Sequence, residues 1–549
     1  MKLKHILLSC TLISAMMLGS CHGFLTEDPL TQVTTENFWQ TRADAERGLN
    51  SVYFGGFPFL VRTGAGGGWE PLVPFFGGLA SGLFVDRRLD RAFTSEMQAG
   101  RFTLMNVTNE VRLIWHELYT GVNRANLVIY NIPRMTGVLT PDEIESMLAQ
   151  AKFFRALNYF ELVKNFGDVP FFETPFTTAE QAFLPRTPSV EIYQAIERDL
   201  LAIINGGRLP NQTFHSNNAR VTLAMAQTLL ARTYLQWAGY PLNGGAEMYA
   251  NAATMARNVI TGGSGHSLTH SGGTTPDLNS AFNLIRIAKS GTPAANEIIF
   301  AAEFNDALAI RQGFSGRSLP EPILQYEYFA DIALYSGYLP APMITNSFHP
   351  DDIRGMERQF FFRELDLVLN SRNPNLPNEN ATITLSDAGN WFWFDRGAMV
   401  RGVGSENNIP LMRFAEVLLI AAEGLARTGN EEAARGYLNQ VRRRAGLTDN
   451  TDSGNDLIQA ILTERLHEFP LEFLVWDDIR RTRLYPQPAG LQSGRLNWVP
   501  LAQAYIQNKP YLNEARVGLL PEWVLLWPIP LREMQANPAF VGHQNPGWQ

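Results

Sequence analysis

The chain has 549 residues, 45% hydrophobic and 18% charged, with 45 Lys and Arg against 53 Asp and Glu and a formal net charge of −8. That is enough apolar material for a large core and for two or three domains. No Lys/Arg block occurs, which argues against a nucleic-acid partner and weakly against polyanionic ligands and leaves a neutral or mixed-charge partner as the expectation.

Lys2 and Lys4 precede an apolar run from Ile6 to Leu18, too short to span a bilayer and therefore read as a signal peptide over 1–20. Leu18, Gly19, Ser20 and Cys21 follow, a pattern that resembles a bacterial lipobox, so cleavage before Cys21 and acylation of its thiol are expected. The competing reading, an ordinary secretory signal with Cys21 as a stray thiol, is disfavoured by the spacing. One acyl chain, at ~0.8 kcal/mol per buried methylene, anchors only marginally, whereas two or three anchor stably. With Cys10 lost in the signal and Cys21 acylated, no thiol remains for a disulfide, a nucleophile or a cysteine-zinc site. Loss of Lys2 and Lys4 takes the formal charge from −8 to −10, and no later stretch is apolar enough for a transmembrane helix.

Four helix pairs follow. The first, Glu36–Tyr53 with Val111–Ile132, is split by a Gly-, Pro- and Phe-rich excursion over 55–108. The second begins with Leu148–Asn165, where Phe153, Ala156, Leu157, Phe160 and Val163 share one face, and continues from Thr187 as N-cap with Pro188 at N1. Ala219–Ala238 and Glu247–Ile260 make the third. The fourth runs from Arg413 to Leu447. Ala415, Leu418, Leu419, Ala422, Leu425 and Ala426 form its first stripe, and Gly429 and Asn430 break it. A second stripe of Ala433, Ala434, Tyr437, Leu438 and Val441 then ends at Gly446.

Hairpins of this size stack into a mostly α, tetratricopeptide-like solenoid. The stretches 55–108 and 262–408 fall outside the pattern, yet hold too many aromatic residues to be disordered. They are read as an irregular, loop-rich subdomain carrying the functional surface. The expected organisation is a signal at 1–20, a helical region at 21–261, the irregular region at 262–408 and a C-terminal helical segment at 409–549.

Several motifs together resemble the SusD/RagB family of outer-membrane nutrient-binding lipoproteins, along essentially the whole mature chain. They are Leu25–Pro29 (LTEDP) with Asn37, Phe38, Trp39, Thr41, Asp44, Ala45 and Tyr53, then Phe153–Pro170 (FFRALNYFELVKNFGDVP) and Asn296–Phe300 (NEIIF). Asp352 with Arg354, Ile409–Glu423, Leu438–Leu447, Pro528–Pro530, Glu533, Asn537, Pro538 and Gln544–Trp548 (QNPGW) complete them. The chain departs from the family pattern at Phe473 and Val475, where Gly and Arg are favoured. Beside them, Glu464, Arg465, Glu468, Glu472, Asp478 and Arg481 are candidates for a helix-to-helix ionic network whose loss harms folding, not activity.

The resemblance implies a binding protein, not an enzyme, that needs no cofactor. It docks on a SusC-like TonB-dependent barrel transporter at the outer membrane, anchored through acylated Cys21 and facing the exterior, and captures an oligosaccharide or a peptide. The ligand contacts it implies come from Trp69, Asp86 and Arg87 in the first long loop, and from Tyr326, Tyr328, Trp391 and Trp393 in the second irregular region. Each aromatic also fits plain core packing, and WFWF (391–394), taken as a strand, buries one Trp face. The rivals are a helical scaffold for envelope assembly and a glycan-active enzyme.

The residues themselves offer little chemistry. Asp477 and Asp478 point ~100° apart on a helix and do not make a facing acid/base pair. His266 and His270 have a zinc-like spacing inside loop composition, and Asp449–Gly454 (DNTDSG) has Ala460 where a calcium loop needs Glu. Gly64–Gly68 runs into Trp69 and is no nucleotide fingerprint.

Overall fold

The computed structural model describes residues 38–62, 78–85, 109–176, 178, 180–270, 279–308, 310–319, 338–369, 379–401, 404–472, 474–507, 517–519 and 522–548. Helix α1 (Arg42–Phe54) opens on a capping box. The Thr41 hydroxyl accepts from the Asp44 N–H at 3.2 Å, and the Asp44 carboxylate accepts from the Thr41 N–H at 2.8 Å. Helix α2 is Asn109–Asn131, and α3 is Pro141–Phe166, capped in the same way by Thr140 and Glu143. The α3 cap lies about two turns before the predicted start at Leu148, because those turns are polar and carry no apolar stripe. Gly167, at φ 72, ends α3 and returns its N–H to the Val163 carbonyl.

Helix α4 (Ser189–Asn205) corrects the predicted cap. Pro188 occupies the N-cap position and Thr187 instead donates its N–H to the Val169 carbonyl at 2.9 Å. The cap comes from outside the helix: Asp168 Oδ1 accepts from the Ser189 N–H at 2.7 Å and from its hydroxyl at 2.8 Å. Arg155 then ties three helices together, donating to Asp199 of α4 at 2.7 and 2.8 Å and to Asn126 of α2 at 3.1 Å. Burial opposes its charge, but the Asp199 partner outweighs that and raises its pKa.

Helices α5 (Leu223–Ala238), α6 (Gly245–Thr261), α7 (Ala281–Arg286), α8 (Phe414–Arg427), α9 (Glu431–Arg444), α10 (Gly454–Glu468) and α11 (Val475–Thr482) follow. From α1 to α6 each packs on the next, α6 packs on α8, and α8 carries α9 and α10 over one continuous apolar core. Gly424 sets the α6–α8 approach, since a Cβ there would lie 2.5 Å from the Tyr249 carbonyl and 2.9 Å from the Ala253 Cβ. The fold is mostly helical with small sheets, and no described helix is long and apolar enough to cross a membrane.

The region 262–408 is less irregular than its composition suggests. Strand β1 (Ile298–Ala302) pairs antiparallel with β4 (Ile409–Arg413), Ile298 opposite Arg413 and Ala302 opposite Ile409. Strands β2 (Phe361–Leu369) and β3 (Glu379–Asn390) form a two-stranded antiparallel ladder, with Phe361 opposite Asn390 and Leu365 opposite Ile383.

Pairing of β1 with β4 assembles a buried ionic core. Arg413 donates to Glu297 at 2.6 Å, to Glu468 at 2.9 Å and to both oxygens of Glu472 at 2.8 and 2.6 Å. Arg444 grips Glu297 at 2.8 Å and also Glu468, while Arg354 holds Asp352 at 2.8 Å, Glu464 at 2.7 Å and Glu468 at 3.2 Å. The remaining expected members stand apart in a second cluster, where Arg465 meets Asp478 at 2.8 Å and Arg481 bridges Asp478 at 2.7 Å and Glu423 at 2.6 Å. Both clusters form despite the departure at Val475, which packs as a buried apolar residue; Phe473 lies outside the described residues.

In the first cluster Arg354, Arg413 and Arg444, with Arg442 reaching Glu464 from the edge at 3.3 Å, face five carboxylates. Burial, only partly offset by Arg413 and reinforced by Glu468 and Glu297, pushes the Glu472 carboxyl up to about 7. The folded state therefore holds a proton that the unfolded chain releases near 4.5, and this contribution to stability is lost as pH rises from there to about 7. Glu472→Gln is expected to flatten the fall in urea midpoint between about pH 5 and about pH 8. Equal slopes for variant and wild type would show that Glu472 ionises normally.

Candidate functional site

Of the expected site residues, Cys21, Trp69, Asp86, Arg87, Tyr326 and Tyr328 lie outside the described residues. Trp391 and Trp393 follow β3, in a 3-10 turn over Trp391–Trp393 and not in a strand, so they do not alternate across a sheet. Trp393 is 2% exposed and stacks on Phe314 with centroids 4.9 Å apart, which places it in the core. Trp391 remains partly exposed, its ring edged by Phe362 at 5.7 Å and Phe394 at 5.8 Å.

Three residues that sequence reasoning missed meet this ring. Asn283 Oδ1 accepts from Trp391 Nε1 at 2.7 Å, and the guanidinium carbons of Arg286 and Arg358 lie 5.1 and 5.9 Å from the ring centroid. Helix α7 positions two of them. Ser280 accepts from the Asn283 N–H at 3.2 Å and donates to Gln359 at 2.5 Å, and the Asn283 amide donates to the Arg358 carbonyl at 2.9 Å. Arg358, at φ 60, turns its side chain to Asp366 at 2.8 Å. Arg286 donates through Nη1 to the Phe394 carbonyl at 2.7 Å, and burial, partly offset by Asp395, brings its pKa down to about 10. No periodicity could have announced this corner, because its parts come from a six-residue helix and two separate turns.

An aromatic ring, an amide and two cations can orient and hold a ligand, but they supply no facing acid/base pair. Asp477 pairs with Lys164 at 2.9 Å and also with Arg480, and Asp478 pairs with Arg465 and Arg481, so both serve the fold. His266 lies in a non-helical stretch, bonded through Nδ1 to the Asn296 carbonyl at 2.8 Å, and burial lowers its pKa. Among the described residues no group of three His, Cys, Asp or Glu side chains could hold a metal ion. The turn at 449–454 satisfies itself, with Asp449 on Arg443 at 2.5 Å and Asp452 accepting from Asn450 at 2.7 Å. Beside it opens a polar cavity of about 380 Å³ lined by Asp351, Arg442, Gln459 and Arg495.

Sequence comparison matches residues 370–548 to the SusD family and residues 87–235 to the family described as starch-binding associating with outer membrane. The chain belongs to the SusD/RagB family. It is a non-catalytic family, so this SusD-like chain is a binding protein and not an enzyme. SusD-like protein P2 of Formosa agariphila is 25% identical over 84% of this chain and 87% of that protein. SusD-like protein P38 of the same organism is 23% identical over 92% and 97% respectively. Among solved structures, a SusD superfamily protein from Parabacteroides distasonis superposes with a TM-score of 0.76 at 24% identity, covering 94% of this chain and all of that one. Surface glycan-binding protein A from Bacteroides thetaiotaomicron, in complex with laminarihexaose, does so with 0.67 at 19% identity, covering 92% of this chain and 100% of that one. The SusD-like fold expected from the motifs is thus the fold observed.

Proposed function

We propose that this SusD-like protein is a lipid-anchored, surface-exposed glycan-binding protein that delivers its ligand to a SusC-like TonB-dependent barrel transporter. The observation that carries the reading is the end-to-end likeness to surface glycan-binding protein A, which holds laminarihexaose; it favours a glycan over a peptide. The description of the second matched family adds association with the outer membrane, in keeping with the acylated Cys21 expected from the sequence.

In this reading 21–261, apart from its excursion at 55–108, and 409–549 form a tetratricopeptide-like stack that docks on the barrel, and 262–408 with 55–108 forms the ligand face. Trp391 contacts the glycan together with Trp69, Asp86, Arg87, Tyr326 and Tyr328, while Trp393 supports the surface from beneath. A tethered site over a pore keeps the ligand at high effective concentration there, so modest affinity suffices.

The test is a mild-detergent pull-down of the native lipidated protein from its own membranes, with mass spectrometry of stoichiometric partners. A TonB-dependent barrel is the expected partner. Its repeated absence, with envelope-assembly factors in its place, would replace this reading with the scaffold one.

A further inference from the structure

We infer that the corner formed by Arg286, Trp391 and Arg358 selects sugars that bear an oxyanion, a uronate carboxylate or a sulfate ester, over neutral sugars. The inference rests on the glycan-binding reading above and deepens it.

The buried arginines of this fold elsewhere meet carboxylates directly: Arg155 has Asp199 at 2.7 Å, Arg354 has Glu464 at 2.7 Å, Arg413 has Glu297 at 2.6 Å and Arg481 has Glu423 at 2.6 Å. Arg286, which is half-buried, has no such partner among the described residues: its Nη1 reaches a carbonyl, and its buried Nε–H meets no acceptor there. The carboxylate that influences it, Asp395, has its oxygens engaged by the Ala398 N–H at 3.0 Å and the Ser405 hydroxyl at 2.6 Å. A half-buried cation without a directly paired anion keeps part of its desolvation cost, and a ligand that supplies the anion recovers that part on binding.

The second guanidinium, Arg358, is already paired. Both sit on one ring, at 5.1 and 5.9 Å, so the two are no more than about 11 Å apart. Asp366 neutralises Arg358, which leaves Arg286 as the guanidinium of this corner without a direct carboxylate partner among the described residues. Glu357, the sequence neighbour of Arg358, has its carboxylate engaged by the Arg363 and Glu364 N–H groups at 2.9 and 3.0 Å. A planar guanidinium matches a carboxylate or sulfate in two-point geometry, while the partly exposed Trp391 ring packs against the C–H face of the sugar. The chain's net negative charge, taken over the sequence as a whole, argued against polyanions. Screening over about 8 Å at physiological salt leaves a local cation in control of a local contact.

The test is titration calorimetry on the full-length protein in detergent, with three probes: an oligogalacturonate, a sulfated oligogalactan and laminarihexaose. The expected result is tightest binding to one of the two charged probes, which identifies carboxylate or sulfate as the source of the oxyanion. Its affinity should fall as salt rises and drop about ten- to a hundredfold in Arg286→Gln. Arg286→Lys keeps the charge but not the fork and should fall between the two. An unchanged melting temperature in Arg286→Lys separates loss of the fork from loss of the fold. Binding of laminarihexaose alone, or charged-probe affinity unaltered in both variants, overturns the selectivity but keeps the glycan-binding reading. Binding of none of the three, with the barrel also missing from the pull-down, removes both.

Discussion

Arg413→Met is expected to lower the free energy of unfolding by about 3–5 kcal/mol, the range for breaking a buried ion pair by removing one partner. Arg413 is 1% exposed and serves Glu297, Glu468 and Glu472, which are themselves buried. Removing it leaves Glu297 with Arg444 and Glu468 with Arg444 and Arg354, and takes from Glu472 the arginine with which it pairs. Burial opposes ionisation of Glu468, and Arg444, Arg413 and Arg354 together overcome it to hold its pKa down. Without Arg413 the cluster must take up protons, so the loss should be larger at about pH 8 than at about pH 5.5. Urea denaturation followed by tryptophan fluorescence at the two pH values measures both. A loss below about 1 kcal/mol would mean that water reaches the cluster and screens it. The double variant Arg413→Met with Glu472→Gln should recover part of the loss, because the two groups touch and their effects do not add.

Trp527→Ala is the second large effect, again about 3–5 kcal/mol, from the transfer of a large side chain and the cavity left behind. Trp527 is 1% exposed and meets Phe166 at the end of α3 edge-on, with centroids 5.8 Å apart. Its backbone N–H donates to the Asn165 carbonyl at 2.8 Å, and Asn545 spans the carbonyls of Phe166 and Trp527 at 2.8 and 2.7 Å. Arg186 closes the arrangement on His543 and Asn545 at 2.7 and 2.5 Å. The C-terminal segment is thus strapped across the end of α3, and the variant should lose that segment to protease before the helices unfold. Cleavage there at the wild-type rate, with an unchanged thermal midpoint, would show that the strap holds without its indole.

Both predictions concern segments that the sequence marked, though for different reasons. The QNPGW tail and the α3 motif are legible as family signatures, yet nothing in either states that they touch. The ionic residues after Glu464 were legible as a set. Their division into two clusters was not, because the partners Glu297, Arg354 and Glu423 arrive from remote segments. The local rule makes Thr187 the helix cap, but a residue after another helix, Asp168, does the capping. Of the two tryptophans in WFWF, composition could not separate the buried from the exposed one, since a 3-10 turn replaces the strand alternation that would have assigned them.

The sequence by itself determined the helices and the family. Amphipathic periodicity is a local property, written every three to four residues, and the SusD motifs are contiguous strings. Only the tertiary structure decided which charges are paired, which tryptophan is partly exposed, and that Arg286 stands beside Trp391 with no carboxylate paired to it among the described residues. Those properties depend on through-space distances of a few ångströms between residues up to more than a hundred positions apart, and no local pattern encodes them.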